Sequence, residues 1–288
     1  MKKLDSLHPI VLFTYFMLVV FISMCTVNPV FVTISFLSSL VLYALLTNIR
    51  KMFKVLLSFV LLIIFMSLIN PIFSRHGATK LFTIGYYDFT LESMLYGFFT
   101  SMMLSSVIIW FMSFSIVFKS DKFIYMFGKI IPKISLVLSV TLNFIPRFTR
   151  YFREVEDAQK TLGIYEKKLL KMKLRVFSIV FGMGLESSIE TSNSMKARGY
   201  GISGRSNYSL FKFRKSDTIL ETVWFLLGAY TLIKVLMMGK FNYYPNIDNI
   251  VLDLEYIIPY VSFLILTFSS AILEIKENML WHYLKLKN

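Results

Sequence analysis

The sequence predicts an all-α, polytopic membrane protein of about six transmembrane helices, with a cytoplasmic coupling domain of long amphipathic helices set between the spans. Three observations lead there. Of 288 residues, 56% are apolar and only 17% are charged, against about a quarter charged in a soluble globular domain. The apolar residues come in unbroken runs of membrane-spanning length instead of a period of 2 or 3.6. The basic residues, which give a formal net charge of +14, gather on one set of connecting segments. An ordinary water-soluble enzyme does not have this composition.

The spanning runs are residues 9–27, 29–46, 55–72, 91–118, 219–238 and 256–273, each near the roughly 17–25 residues that a hydrocarbon core demands of a helix. Met1, Lys2 and Lys3 ahead of the first run imitate a signal peptide. Ser23, Met24, Cys25 and Thr26 offer no small-x-small cleavage site, so the run is expected to remain as a membrane helix. Cys25 is the one cysteine, which leaves neither an intrachain disulfide nor a thiolate metal cluster.

Six spans put both termini on one side. With the N-terminus inside, 27 Lys and Arg fall on inner segments and only Arg75, Lys80 and Lys240 on outer ones. Lys234 lies in a span near its outer end, where a long side chain can snorkel to the headgroups. Tyr243 and Tyr244 fit an aromatic belt. The expected organisation is N-terminal spans over 1–118, a cytoplasmic coupling domain over 119–217 and C-terminal spans over 218–288, with both termini cytoplasmic.

The inner stretch is too long for a connector. Its charge alone would suit a loop drawn to anionic lipid at about 1 kcal/mol per basic residue, but helical periodicity is superposed on the charge. Over residues 134–163, Phe144, Phe148, Tyr151, Val155, Ala158 and Leu162 fall on one helical face, while Arg147, Arg150, Arg153, Glu154 and Asp157 fall mostly on others. Pro146 is expected to bend this helix. A second helix is read over 174–197. There Gly184, Ser188 and Ser192 repeat every four residues, a small-residue ridge suited to crossing the first helix, with Glu186 and Glu190 on a neighbouring face.

Both helices end alike: Lys160, Thr161, Leu162, Gly163 and Lys196, Ala197, Arg198, Gly199 each set a lysine three places before a glycine able to cap the helix. Glycine stops helices, and lysine suits the negative end of a helix dipole, so spacing alone leaves coincidence and shared function both open.

The Lys-Ala-Arg-Gly-Tyr-Gly run at 196–201, its weaker copy at 160–163 and the helices leading to both resemble the transmembrane T component of energy-coupling factor (ECF) transporters, the CbiQ/EcfT family. Leu7, His8 and Pro9, the Asn70 to Phe73 segment near Arg75 and Gly77, and Phe144, Ile145 and Pro146 extend the likeness over nearly the whole chain. The resemblance implies a non-catalytic membrane subunit of a bacterial plasma-membrane importer. Its two coupling helices would dock Ala-Arg-Gly-type tips onto two cytoplasmic ATP-binding-cassette ATPases. A separate membrane S component would capture a vitamin or a transition-metal ion such as cobalt or nickel. Cofactors, ATP and Mg, would sit on the partners and none on this chain. Ala197, Arg198 and Gly199 match the second motif outright, whereas Thr161 and Leu162 stand where alanine and arginine would be expected. Lys160 is a point charge without the planar fork of arginine, so unequal docking is implied, with Arg198 dominating one site and Leu162 packing at the other.

A conventional importer permease with its own substrate path is the alternative. It would need intramembrane polar residues facing a cavity, for which Asn70 and Asn143 are the candidates. A membrane-embedded transferase would need acidic metal-binding clusters at the inner interface, and none is evident. Gly199 to Gly204 spells G-x-G-x-x-G, but it follows a helix where a dinucleotide fingerprint needs a strand, and Arg205 stands where a P-loop needs lysine. His8, His76 and His282 are expected inside, outside and inside, so they do not converge on a metal. The basic domain's charge is accounted for by topology and its apolar faces by helix packing, so no nucleic-acid partner is expected.

Overall fold

The computed structural model describes residues 3–74, 77–84, 87–130, 132–163, 169–202, 211–239, 241–249 and 253–287. Its helices are α1 (Lys3–Ser6), α2 (Pro9–Cys25), α3 (Pro29–Leu46), α4 (Ile49–Phe73), α5 (Leu91–Val117), α6 (Ser120–Ile130), α7 (Pro132–Thr161), α8 (Leu169–Ala197), α9 (Lys215–Met237) and α10 (Leu254–Lys287). An antiparallel hairpin of β1 (Lys80–Ile84) and β2 (Tyr87–Thr90) stands between α4 and α5, pairing Thr83 with Asp88 and Ile84 with Tyr87. This hairpin departs from the all-helical expectation. By its internal contacts the chain divides into two compact units, Met1–Lys122 with Phe211–Asn288, and Phe123–Leu210.

Five helices of the first unit, α3, α4, α5, α9 and the Leu254–Leu280 part of α10, are long and apolar enough to cross a membrane. The chain is an all-α polytopic membrane protein. α2 is equally apolar but has 17 residues, about 25 Å of helix, less than the run 9–27 suggested. It ends at Thr26, which is extended at φ −141° and ψ 140°, and Pro29 holds the residue before it extended as well. Asn28 there has ψ 127°, and its side chain accepts from Val30 N to cap α3. α2 begins the same way, with His8 accepting from Ile10 N and Pro9 in the first turn.

In the first unit α5 packs against α3, α4 and α2, α10 against α3 and α9, and α9 against α2, so five helices close a ring and α4 lies outside it on α5. Lipid tails are as apolar as leucine, so close packing and interhelical hydrogen bonds hold such a bundle more than water exclusion does. Both devices are present. A Cβ at Gly97 of α5 would come 2.7 Å from Asn70 and 3.1 Å from the Met66 carbonyl of α4. Inside the ring, Tyr15 stacks on Trp224 at 4.2 Å and donates its hydroxyl to Ser270 Oγ and the Leu266 carbonyl. Ser35 joins Ser23 at 2.8 Å, Ser106 at 3.3 Å and the Trp110 indole N–H at 3.2 Å, tying α2, α3 and α5 through one hydroxyl.

The end of the bundle that carries both termini is locked by charge. Glu274 of α10, 0% exposed, accepts from Leu4 N. Buried Lys122 donates to the carbonyls of Leu4 and of Val117, the last residue of α5, with Asp5 at 3.9 Å. At the opposite end Lys234 meets Glu255 at 3.7 Å, so the lysine expected to snorkel has an ion-pair partner. Nearby, Tyr243 donates to the Val27 carbonyl at 2.7 Å and Tyr244 approaches Ser74 and Ser93. Arg75, His76, Lys240, the segment Ser203 to Ser206 and the side chain of His282 lie outside the described residues.

Candidate functional site

The second unit is built on α7 and α8. Phe152 meets Phe177, Phe148 meets Gly184, and Arg147 donates to Ser187 Oγ. The partner's number rises as the first falls, so the helices run antiparallel. The closest approach is at Gly184, where a Cβ would stand 2.4 Å from Phe148 Cε1. Only a residue without a side chain lets the ring in.

The buried or half-buried residues of this pair include Phe144, Phe148, Tyr151, Phe152, Val155 and Gln159 on α7, and Val176, Val180, Gly184, Ser187, Thr191 and Met195 on α8. Five of these on each helix, from Phe144 to Gln159 and from Val180 to Met195, recur at an offset of 36 residues with spacings of 4, 3, 4 and 4. The same offset separates Lys160 from Lys196, Leu162 from Arg198 and Gly163 from Gly199. Bulk on one helix faces smallness on the other, most plainly in Phe148 and Gly184.

Two site expectations therefore change place. Gly184 lies at the crossing, but Ser188 and Ser192 are exposed, and Ser188 bonds back to the Gly184 carbonyl. A strict four-residue repeat advances about 40° per step around a helix of 3.6 residues per turn, so by Ser192 the ridge has left the seam. Ser187 and Thr191 take its place. On α7 the same drift leaves Ala158 and Leu162 exposed, and Gln159 closes the seam. The signal that would have found Ser187, Thr191 and Gln159 is the mixed 4, 3, 4 spacing of a true helical stripe.

At the tips, the local sequence dictates the geometry. Gly199 has φ +84°, and its N–H bonds the Lys196 carbonyl while Tyr200 N bonds that of Met195. This is a Schellman cap. Gly163, at φ +70°, repeats the inner bond to the Lys160 carbonyl. Arg198 and Leu162 thus occupy the same cap position, one residue before the left-handed glycine. Both are exposed, Leu162 to 73%. The crossing lies midway: fifteen residues separate Phe148 from Gly163 and fifteen separate Gly184 from Gly199, about 22 Å of helix each.

The tips differ in charge. Lys160 is held by its own helix, 3.0 Å from Glu156 and 3.6 Å from Asp157, and hydrogen bonding to Glu156 raises its pKa above the ordinary lysine value. Among the described residues, the side chains of Arg198 and Lys196 make no hydrogen bond or ion pair. Thr161 turns its hydroxyl back to the Asp157 carbonyl, and Ala197, which ends α8, is exposed. One tip presents an uncommitted guanidinium and the other a bare leucine beside a neutralised lysine.

Fold and site together define a polytopic, all-α membrane protein with a pair of equal, glycine-capped helical arms inserted in the chain between its spans. No protein-family model matches it. Over 109 residues it is 30% identical to the energy-coupling factor transporter transmembrane protein EcfT of Lactobacillus helveticus (strain DPC 4571). That stretch takes in 36% of this chain and 39% of the relative, so the likeness spans about two fifths of the relative's length.

Proposed function

We propose that this chain is the coupling (T) component of an ECF-type importer in a bacterial plasma membrane, with both termini and the α7–α8 arms in the cytoplasm. The observation that carries the proposal is the pair of like-capped tips set equally far from one crossing. Two arms of equal length about a fulcrum suit a partner with two similar grooves, here two ATP-binding-cassette ATPases. ATP and Mg belong to those ATPases, this chain catalyses nothing, and a separate S component captures the vitamin or metal ion.

Force must pass from a soluble motor to a membrane protein through a joint that survives the stroke. A guanidinium paired with a groove carboxylate holds orientation as well as distance, and truncating one partner of such a pair costs about 2–5 kcal/mol. Closure of the ATPases shifts the arms about the Phe148–Gly184 contact, and the S component reorients.

Purification in mild detergent followed by identification of bound proteins tests this. Two ATPase chains and a small hydrophobic membrane protein are expected with the wild type. Arg198→Ala should still insert in the membrane but lose ATPase association and uptake. Unchanged copurification and uptake in Arg198→Ala would refute the assignment, and substrate bound by this chain alone would favour a conventional permease.

A further inference from the structure

At the end of the bundle away from the termini, the first unit holds a cleft of about 280 Å³ between the start of α3, the end of α9, the 241–249 segment and the start of α10. That is near the lower limit of ligand-sized pockets, and its make-up is the usual one of apolar and aromatic walls with a few polar groups. Phe31, Phe241, Tyr256 and Tyr260 supply the rings, and Asp248 is the one charged residue among the described lining. Nothing in the coupling role uses it.

Three independent features point to the charge of its occupant. The Asp248 carboxylate is fixed in place, its Oδ2 accepting from Asn242 N at 2.9 Å while its own N–H bonds the Asn242 carbonyl at 3.0 Å. Val235, Met238 and Gly239 bring the C-terminal end of the 23-residue α9 to the cleft, where unsatisfied carbonyls carry the negative pole of the helix dipole. Gly239, at φ +73°, turns the chain away there, and a Cβ on it would meet nothing within 4 Å, so that end stays open. Aromatic faces attract a cation through their quadrupoles, more strongly once it is partly desolvated. The start of α10 also reaches the cleft, and Glu255 in its first turn is paired with Lys234 at 3.7 Å.

We infer that this cleft binds an ammonium group, seated against the Asp248 carboxylate and the end of α9 with its substituents on the aromatic walls. Asn28, Asn249 and the tyrosine hydroxyls offer polar contacts around it; Asn28 Nδ2 already donates to Tyr260. The same chemistry is offered by the headgroup of an ethanolamine phospholipid and by a free amine in solution, and the two arms of the test separate them.

In the first arm, the purified full-length chain is exchanged into detergent containing equal phosphatidylethanolamine and phosphatidylglycerol, washed, and examined by native mass spectrometry. In the second, the delipidated chain is dialysed to equilibrium against labelled ethanolamine or choline. Asp248→Asn keeps an acceptor for Asn242 N while removing the charge, and Tyr256→Leu removes one ring from a half-buried position as a second variant; thermal melting verifies that both are folded. Retention of phosphatidylethanolamine over phosphatidylglycerol, falling about tenfold in Asp248→Asn, assigns the site to lipid. Saturable binding of the free amine without lipid retention, with the same loss in Asp248→Asn, assigns it to a soluble amine. The inference is overturned if the wild type retains neither, if phosphatidylglycerol is held as well as phosphatidylethanolamine, or if folded Asp248→Asn binds as the wild type does.

Discussion

The two units expose apolar side chains for different reasons. In the first unit α4 shows Phe53, Leu57, Leu61 and Phe65 on a helix that beyond Lys54 is apolar all round and barely buried, which is how a lipid-facing span looks. In the second unit α8 shows Leu170 at 71% and Ile189 at 64%, with Phe181 and Leu185 between, on a helix that also carries Lys171, Lys173, Arg175, Glu186 and Glu190. An apolar surface beside so much charge is unfinished. The first unit encloses Trp110, Tyr15 and Phe263 within a ring of helices, while among the described residues of α7 and α8 the buried aliphatic side chains are Val176 and Val180. A region with little to bury against itself is free to change its crossing and suited to be held by others.

The sharpest way to break that comparison is Gly184→Leu. The side chain would occupy the place of the Phe148 ring, and overpacking of this kind costs about 1–3 kcal/mol, a large share of what so thin a seam supplies. Under the proposed coupling role, uptake by cells should fail while ATP hydrolysis by the copurified ATPases continues. Adding Phe148→Ala should restore uptake in part. A fully active Gly184→Leu would mean that the crossing is not the fulcrum.

The next largest effect belongs to the first unit. Lys122→Met leaves the Leu4 and Val117 carbonyls without their donor, a loss of about 1–3 kcal/mol, which thermal melting in detergent should show most clearly at high pH, where the wild-type amine donates without the cost of a buried charge. Burial pushes the Lys122 pKa down to about 8 against the pull of Asp5, with Lys119 adding to the fall. Between that value and the ordinary lysine value of 10.5 the folded chain therefore binds fewer protons than the unfolded one, and stability rises with pH through that window. The wild-type melting temperature should climb relative to that of Lys122→Met between pH 8 and pH 10.5. Parallel curves would remove the buried cation from the account.

The smallest effect separates ridge from seam. Ser188→Leu and Ser192→Leu lie on the exposed side of α8 and should change stability by no more than about 0.5 kcal/mol, leaving uptake near normal. A loss as large as that of Gly184→Leu would return the crossing to the four-residue ridge.

Particular residues mark how far the sequence could be read. The span 29–46 coincides with α3 because Asn-Pro and Thr-Asn boundaries are local chemistry. The caps at Gly163 and Gly199 were legible for the same reason: only glycine adopts that φ without strain, and the bonds it allows join neighbours in sequence. Phe144, Phe148, Tyr151 and Val155 were legible as one face, since amphipathic periodicity survives any tertiary arrangement. The hairpin between α4 and α5 was hidden inside a stretch too short for a membrane helix, and its pairing is a choice between partners.

The amino-acid sequence by itself determined that this is a helical membrane protein, where most spans lie and how the two arms end, because hydropathy, proline, glycine and capping act over a few residues. Only the tertiary structure decided which side of α8 meets α7 and that Asp248 is brought beside the end of α9. Each of those depends on residues far apart in the chain arriving at one place, and 3.6 residues per turn makes even a small error in spacing point a side chain elsewhere.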